Sequence, residues 1–278
     1  HNLDWLVTET ENFCKEKALY NGIMESIQIM DGKSKDKIRT AIPSILSDAL
    51  AVSFDTNIGH DYLEDSEARY EFYHKTEKRI PFDLDYLNRI TKGGLPEKTL
   101  NIILAGTGVG KSMFMCHMSA AALLQNYNVL YITLEMAEER IAERIDANLL
   151  NIPIQQLTEL PKSMFESKVT GLAKKTQGTL IIKEYPTASA HSGHFKALLN
   201  ELSLKKSFRP DIIFIDYLNI CASTRFKGGS NVNSYTLVKA IAEELRGLAV
   251  EFNVPIMSAT QLTRSGFGSS DPELTDTS

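Results

Sequence analysis

From Lys98 onward the sequence alternates short apolar runs with longer stretches of helical character. The runs are TLNIILA at 99–105, NVLYITL at 128–134, TLIIKEY at 179–185, DIIFIDY at 211–217 and VPIMSAT at 254–260. Between them lie segments long enough for helices, with starts expected near Lys111, Ala137, Pro161, Ser192 and Ser234. Strand, helix and strand repeated in this way make βαβ units, and βαβ units make a parallel sheet. Runs that are apolar throughout, and not only at every second position, predict strands covered on both faces. The expected fold class is therefore α/β, a mostly parallel sheet flanked by helices.

The first run leads straight into AGTGVGKS at 105–112, which opens the helix MFMCHMSAAALLQ. Gly106, Gly108 and Gly110, with Thr107 and Val109 between them, let the backbone turn tightly and aim its amides at an anion, and the helix N-terminus adds the positive end of its dipole. Lys111 then reaches terminal phosphates, and the Ser112 hydroxyl joins a Mg2+ shell. Ala105 stands where the strict Walker A phosphate loop (P-loop) has glycine, a departure the relaxed pattern allows. A glycine-rich turn that merely precedes a helix is the competing explanation, weakened by the strand before and the helix after. The expectation is binding of ATP or another NTP with Mg2+.

Three other run ends add chemistry. Asp216 closes DIIFID, where a carboxylate can hold the Mg2+ shell, although an acid ending an apolar strand is common. Glu135 closes NVLYITLE, one βα unit after the phosphate loop, and the C-terminal ends of neighbouring parallel strands line one crevice. It is therefore placed to polarise a water against a γ-phosphate. A helix N-terminal acid favoured by the dipole is the alternative, since Glu138 and Glu139 follow. Gln261, just past VPIMSAT, is a neutral donor able to sense the γ-phosphate, or else a turn cap.

The loop YLNICASTRFKGGSNVNSYTLVKA has no acid between Asp216 and Glu243 but carries Arg225, Lys227 and Lys239. A locally positive, glycine-containing loop on this edge of the sheet suits the phosphates of single-stranded nucleic acid, against the plainer reading of a solvated loop. His191 and His194 have metal-ligand spacing but no third ligand nearby, so they read as an ordinary polar loop.

Bulk properties set limits. With 30 Lys+Arg against 35 Asp+Glu and a net charge of -5, the chain is no polycation that coats nucleic acid by bulk attraction. At 278 residues, 43% hydrophobic and 23% charged, it is a globular chain of one large domain with an appendage. It has no apolar run able to span a bilayer and no signal-peptide pattern in HNLDWLVTETENF, so no membrane is expected. Its three scattered cysteines, Cys14, Cys116 and Cys221, suit a reducing compartment, which points to the cytoplasm. The start at His1 and the polar end SSDPELTDTS suggest a piece of a longer protein. Ahead of the sheet, Leu3, Leu6, Val7, Phe13, Ile23, Met24, Ile27 and Met30 predict an amphipathic helix. A second helix is expected from Pro43 toward Ser53, and a charged third over 61–78 with a face of Tyr62, Tyr70 and Tyr73.

These motifs together resemble the DnaB-type replicative hexameric DNA helicases, and within them the helicases of T-even bacteriophages. The likeness runs over nearly the whole chain through SFDTNIGHDYLEDSEARY, ITKGGL, AGTGVGKS, LYITLEMAEERIAERIDANLL, DYLNIC and NSYTLVKAIAEELRGLAVE. The resemblance implies a RecA-like P-loop NTPase core preceded by a helical linker region: a linker helix over 1–30, a helical connector over 31–80 and an ATPase motor domain over 81–278. It implies a DNA replication enzyme, a homo-hexamer hydrolysing NTP between subunits and moving 5′ to 3′ on single-stranded DNA, with a primase and a helicase loader as partners. The setting would be a host bacterial cytoplasm if the chain is phage-encoded. By position, Lys111 and Ser112 would take phosphate and Mg2+, Asp216 the Mg2+, Glu135 the catalytic base's role and Gln261 the sensor's, while the loop around Arg225 and Lys227 would face the DNA channel.

The family carries further strands after the glutamine strand, with a second DNA loop and the arginine finger. Only Arg264 follows here, so the motor domain is expected to be C-terminally incomplete and slow to hydrolyse alone. The rival readings are a RecA-like recombination ATPase, which would not need the 1–30 helix, and a non-motor nucleotide-switch loader or scaffold, which would gain little turnover from single-stranded DNA.

Overall fold

A computed structural model describes residues 2–33, 39–52, 61–75, 77–226 and 233–261. The chain divides into two units, 1–75 and 76–278.

The first unit contains α1 (Asn2–Met30), α2 (Ile42–Leu50) and α3 (Ser66–His74). α1 packs on α2 through Gly22, Ser26 and Ile29, a stripe of helical spacing that is buried. A side chain at Gly22 would sit 3.0 Å from the Ala49 methyl, so glycine lets the two helices approach. The apolar residues expected to form a face, Ile23, Met24, Ile27 and Met30, lie beside this stripe and are 45, 41, 47 and 60% exposed. α3 is shorter than the 61–78 expected. Asp61 accepts from the backbone N–H of Leu63 and Glu64, each at 2.9 Å, and the Asp65 carboxylate accepts from Asp61 N at 2.8 Å. This aspartate turn competes with helix and delays it to Ser66. Tyr62 therefore lies outside the helix, beneath the Arg69 guanidinium at 4.4 Å, and Tyr62, Tyr70 and Tyr73 are all exposed.

The second unit opens with a hairpin that periodicity does not reveal. β1 (Arg79–Ile80) and β2 (Leu95–Pro96) pair antiparallel around α4 (Asp85–Ile90). Gly94, in ITKGGL, has φ +121°, and a Cβ there would lie 2.1 Å from the Ile80 carbonyl oxygen. The α/β core follows as β3 (Leu100–Ala105), α5 (Lys111–Leu124), β4 (Val129–Thr133), α6 (Glu138–Leu150), α7 (Ile154–Leu157), α8 (Lys162–Ala173), β5 (Leu180–Glu184), α9 (Ser192–Lys206), β6 (Ile212–Asp216), α10 (Ser234–Phe252) and β7 (Ile256–Gln261).

The five core strands form one parallel sheet in the order β3-β7-β6-β4-β5. Alternate side chains feed two apolar layers. Leu130, Ile132, Ile213 and Ile215 pack with α9 and α10 residues, and Val129, Tyr131, Ile212 and Phe214 pack with α5 and α6 residues. β4, β6 and nearly all of β7 are buried. β3 departs from the expectation of two covered faces: Ile102 and Leu104 are 41 and 44% exposed. β3 is the edge of the described sheet, and those two residues share the face that no described helix covers. No helix among the described residues is long and apolar enough to cross a membrane.

The strand order creates a switch point. After β3 the chain leaves for β4, and β6 and β7 later fill the gap between them. Ligands of open α/β sheets bind beyond the carboxyl ends of the strands at such a point.

Candidate nucleotide site

The carboxyl ends of β3, β7, β6 and β4 carry the phosphate loop, Gln261, Asp216 and the turn to Glu135. Register aligns Ala105 with Gln261 and Thr133 with Asp216. The loop itself turns at Gly108 (φ 73°) and Gly110 (φ 108°), values that L side chains adopt only with strain. A Cβ at either glycine would meet nothing within 4 Å, so the loop's flank is open and the need for glycine is purely conformational. Gly110 is the N-cap of α5 and its carbonyl accepts from Phe114 N at 2.9 Å, which presents the first-turn residues Lys111 and Ser112 at the positive end of the helix. Thr107 and Val109 are exposed at the loop tip and Gly106 is buried at its root.

Gln261 reaches this loop. Its Nε2 donates to Thr107 Oγ1 at 2.5 Å, and its Oε1 accepts from the Tyr217 hydroxyl at 3.4 Å. The Tyr217 ring also lies 5.2 Å from the Lys111 ammonium. Burial, then the charges of Glu135 and Asp216, raise the Tyr217 phenol above its ordinary pKa, which places this ring among all four groups. Sequence reasoning passed Tyr217 over. The available signal was its place directly after Asp216, where a buried strand opens into the crevice.

Asp216 is fully buried. Its Oδ2 accepts from the Tyr131 hydroxyl at 2.9 Å, and its Oδ1 is buried without a hydrogen-bond partner among the described residues. An orphaned buried acceptor costs on the order of 1–3 kcal/mol, and more when charged. Burial first, and the Asp216 charge second, push the Tyr131 phenol well above its ordinary pKa, so it stays a proton donor. Behind it, Cys116 Sγ donates to the Tyr131 oxygen at 3.8 Å, and burial pushes this thiol up to about 11.

Glu135 sits exposed in the turn between β4 and α6. Thr133 fixes that turn: its hydroxyl donates to the Met136 carbonyl at 2.8 Å and accepts from Met136 N at 3.1 Å. The helix-start role belongs to Glu138 and Glu139 in the first turn of α6, and Glu138 accepts from Glu184 N at 2.8 Å. Glu135 precedes the N-cap, Ala137, and is free of that duty.

The acid-free window after Asp216 is not acid-free in space. Arg225 Nη1 donates to the Glu243 carboxylate on α10. Glu244, next along α10, accepts from Ser223 Oγ at 2.6 Å, Ser192 Oγ at 2.8 Å and Thr224 N at 3.0 Å. Lys227 and Arg264 lie outside the described residues. His191 and His194 form the N-terminal capping box of α9, and no group of three or more His, Cys, Asp or Glu able to hold a metal occurs among the described residues.

Residues 80–276 match the DnaB-like helicase C terminal domain family. The chain belongs to that family. It is 44% identical over 98% of its length to the DnaB-like replicative helicase of Enterobacteria phage T4, of which it covers 59%. It thus spans less than two thirds of this curated relative. Among solved structures, that of a DnaB-like replicative helicase and its interactions with primase superposes with a TM-score of 0.59 at 21% identity, covering 96% of this chain and 62% of the other. A second solved structure, that of an isolated ATPase domain, superposes with a TM-score of 0.61 at 19% identity, covering 78% of each chain. Both likenesses show the RecA-like fold of DnaB-family ATPase domains.

Proposed function

We propose that this chain is the motor portion of a replicative DNA helicase, hydrolysing ATP or another NTP in a hexameric ring to move 5′ to 3′ on single-stranded DNA and unwind duplex at the fork. The observation that carries the reading is the meeting of the phosphate loop, Asp216, Gln261 and Glu135 at one switch point, in a chain of the DnaB-like family.

The open loop of Gly106–Ser112 wraps the phosphates, with Lys111 on the terminal ones. Asp216 Oδ1 and the Ser112 hydroxyl fit a Mg2+ ion, the buried and unpartnered carboxylate oxygen being the group a cation would satisfy. When bound, Mg2+ neutralises charge on the β- and γ-phosphate oxygens. Glu135, held by Thr133 outside α6, takes the proton of the attacking water. Gln261, tied to Thr107 and Tyr217, reports the γ-phosphate. Arg225 and Lys227 meet the phosphates of single-stranded DNA. In this reading 1–30 is the linker helix, 31–80 the connector and 81–278 the motor domain, and a primase and a loader are partners in a host bacterial cytoplasm. NTP hydrolysis with and without single-stranded DNA tests it. No nucleotide binding, or hydrolysis indifferent to Lys111→Ala, sinks the reading.

A further inference from the structure

We propose that Tyr131 is a positioning residue that fixes which oxygen of Asp216 faces the nucleotide site. The inference rests on Asp216 being the Mg2+ acid and concerns what holds that acid in place.

Tyr131 and Asp216 lie on adjacent parallel strands. Tyr131 stands opposite Phe214, and Thr133, two residues on, stands opposite Asp216, so all four side chains share one face. The Tyr131 ring stacks on Phe214 with centroids 5.9 Å apart and planes 14° from parallel, which fixes the ring. Its hydroxyl then reaches along the strand direction to Asp216 Oδ2 at 2.9 Å. A phenol has one proton. That proton goes to the carboxylate, while the phenol oxygen accepts from Cys116 Sγ. Tyr131 and Asp216 are both 0% exposed, and Cys116 is 1% exposed, so no water competes for the bond.

An aspartate at a strand end would otherwise turn about its Cβ–Cγ bond and offer either oxygen. Here one oxygen is taken and the other, Oδ1, is left buried and unpartnered. A neutral hydrogen-bond donor holds the carboxylate without cancelling its charge. The residue thus does for a carboxylate what outer partners do for metal ligands generally, where their removal costs about 10- to 100-fold in metal affinity. A core tyrosine that merely found an acceptor for its hydroxyl would not affect metal dependence.

The test compares the full chain with Tyr131→Phe, Asp216→Asn and the double variant, by titrating a fluorescent nucleotide in EDTA and then in rising Mg2+. Tyr131→Phe is expected to keep the EDTA affinity within about twofold, as the phosphate loop is untouched, and to shift the Mg2+ midpoint upward about tenfold. In the Asp216→Asn background, adding Tyr131→Phe should change the Mg2+ response no further. A Tyr131→Phe midpoint equal to that of the unaltered chain overturns the inference alone. An Mg2+ response untouched by Asp216→Asn removes the metal role of Asp216 and, with it, the reading beneath. If Tyr131→Phe does not fold, the double variant decides: folding restored by also removing the carboxylate supports the inference, and failure of both makes Tyr131 a packing residue.

Discussion

Gln261 Nε2 lies 2.5 Å from the Thr107 hydroxyl, so the end of β7 is joined by a side chain to the loop that follows β3. A γ-phosphate entering the loop must displace or share this donor. Gln261→Ala is therefore expected to keep nucleotide affinity within about threefold while lowering DNA-stimulated turnover about a hundredfold, the effect of losing one preorganised donor. Steady-state hydrolysis with and without single-stranded DNA, beside a nucleotide titration, checks it. Unchanged stimulation would return Gln261 to a turn cap.

Lys111 and Glu135 should separate binding from chemistry. Lys111→Ala is expected to weaken both, since the ammonium meets phosphate in the ground state and the transition state alike. Glu135→Gln should bind nucleotide normally and lose hydrolysis by about 10²- to 10⁴-fold, because only the base's role needs the anionic oxygen. Normal turnover by Glu135→Gln would falsify the assignment.

Arg225 is paired with Glu243, both about half exposed, and exposed pairs of this kind are worth about 0–1 kcal/mol. DNA phosphate can outcompete such a partner. Arg225→Ala should weaken single-strand binding for every sequence alike and reduce the salt slope by about one counterion. Glu243→Ala should tighten binding by up to about fivefold, the ceiling set by that pair energy. Fluorescence anisotropy over a salt series reads both, and a tightening absent in Glu243→Ala would show the pair to be irrelevant to DNA.

The exposed side of α1 offers a test of assembly that leaves its contact with α2 intact. Ile23 and Ile27, 45 and 47% exposed, lie beside the buried Gly22–Ser26–Ile29 stripe. Ile23→Asp with Ile27→Asp should change thermal stability by less than about 1 kcal/mol, as surface changes do, yet shift sedimentation toward smaller species. An unchanged sedimentation profile would exclude this face from subunit contact.

Gly94→Ala should cost about 2–4 kcal/mol, since it combines a positive φ with a backbone clash against Ile80. Thermal denaturation measures it. A loss near zero would mean that the β1–β2 hairpin is free to open.

The sheet was legible because β4, β6 and β7 are continuous apolar runs, and the phosphate loop because its glycines and lysine follow one of them. Other features hid for identifiable reasons. β1 and β2 are two residues each, too short to show a period. The Asp61 turn shortened α3 through side-chain hydrogen bonds that a charge pattern does not display. Tyr131 reads in sequence as one more core residue, and only the register of β4 against β6 shows what its hydroxyl meets. Arg225 looked unopposed because Glu243 is 18 residues away along the chain and adjacent only once α10 has folded back.

The position of β7 between β3 and β6 has a consequence for biosynthesis. On the ribosome β3 and its loop emerge early, yet the strand that pairs with β3 along its whole length, Leu100 to Ile256 through Ala105 to Gln261, arrives only after the rest of the sheet has been made. Until then β3 has no partner among the earlier core strands and Gln261 has not been translated. Such long-range parallel pairing is slow and leaves apolar strand edges open to misassociation. The nascent chain therefore carries its phosphate loop for most of its synthesis without the neighbour that makes it a site.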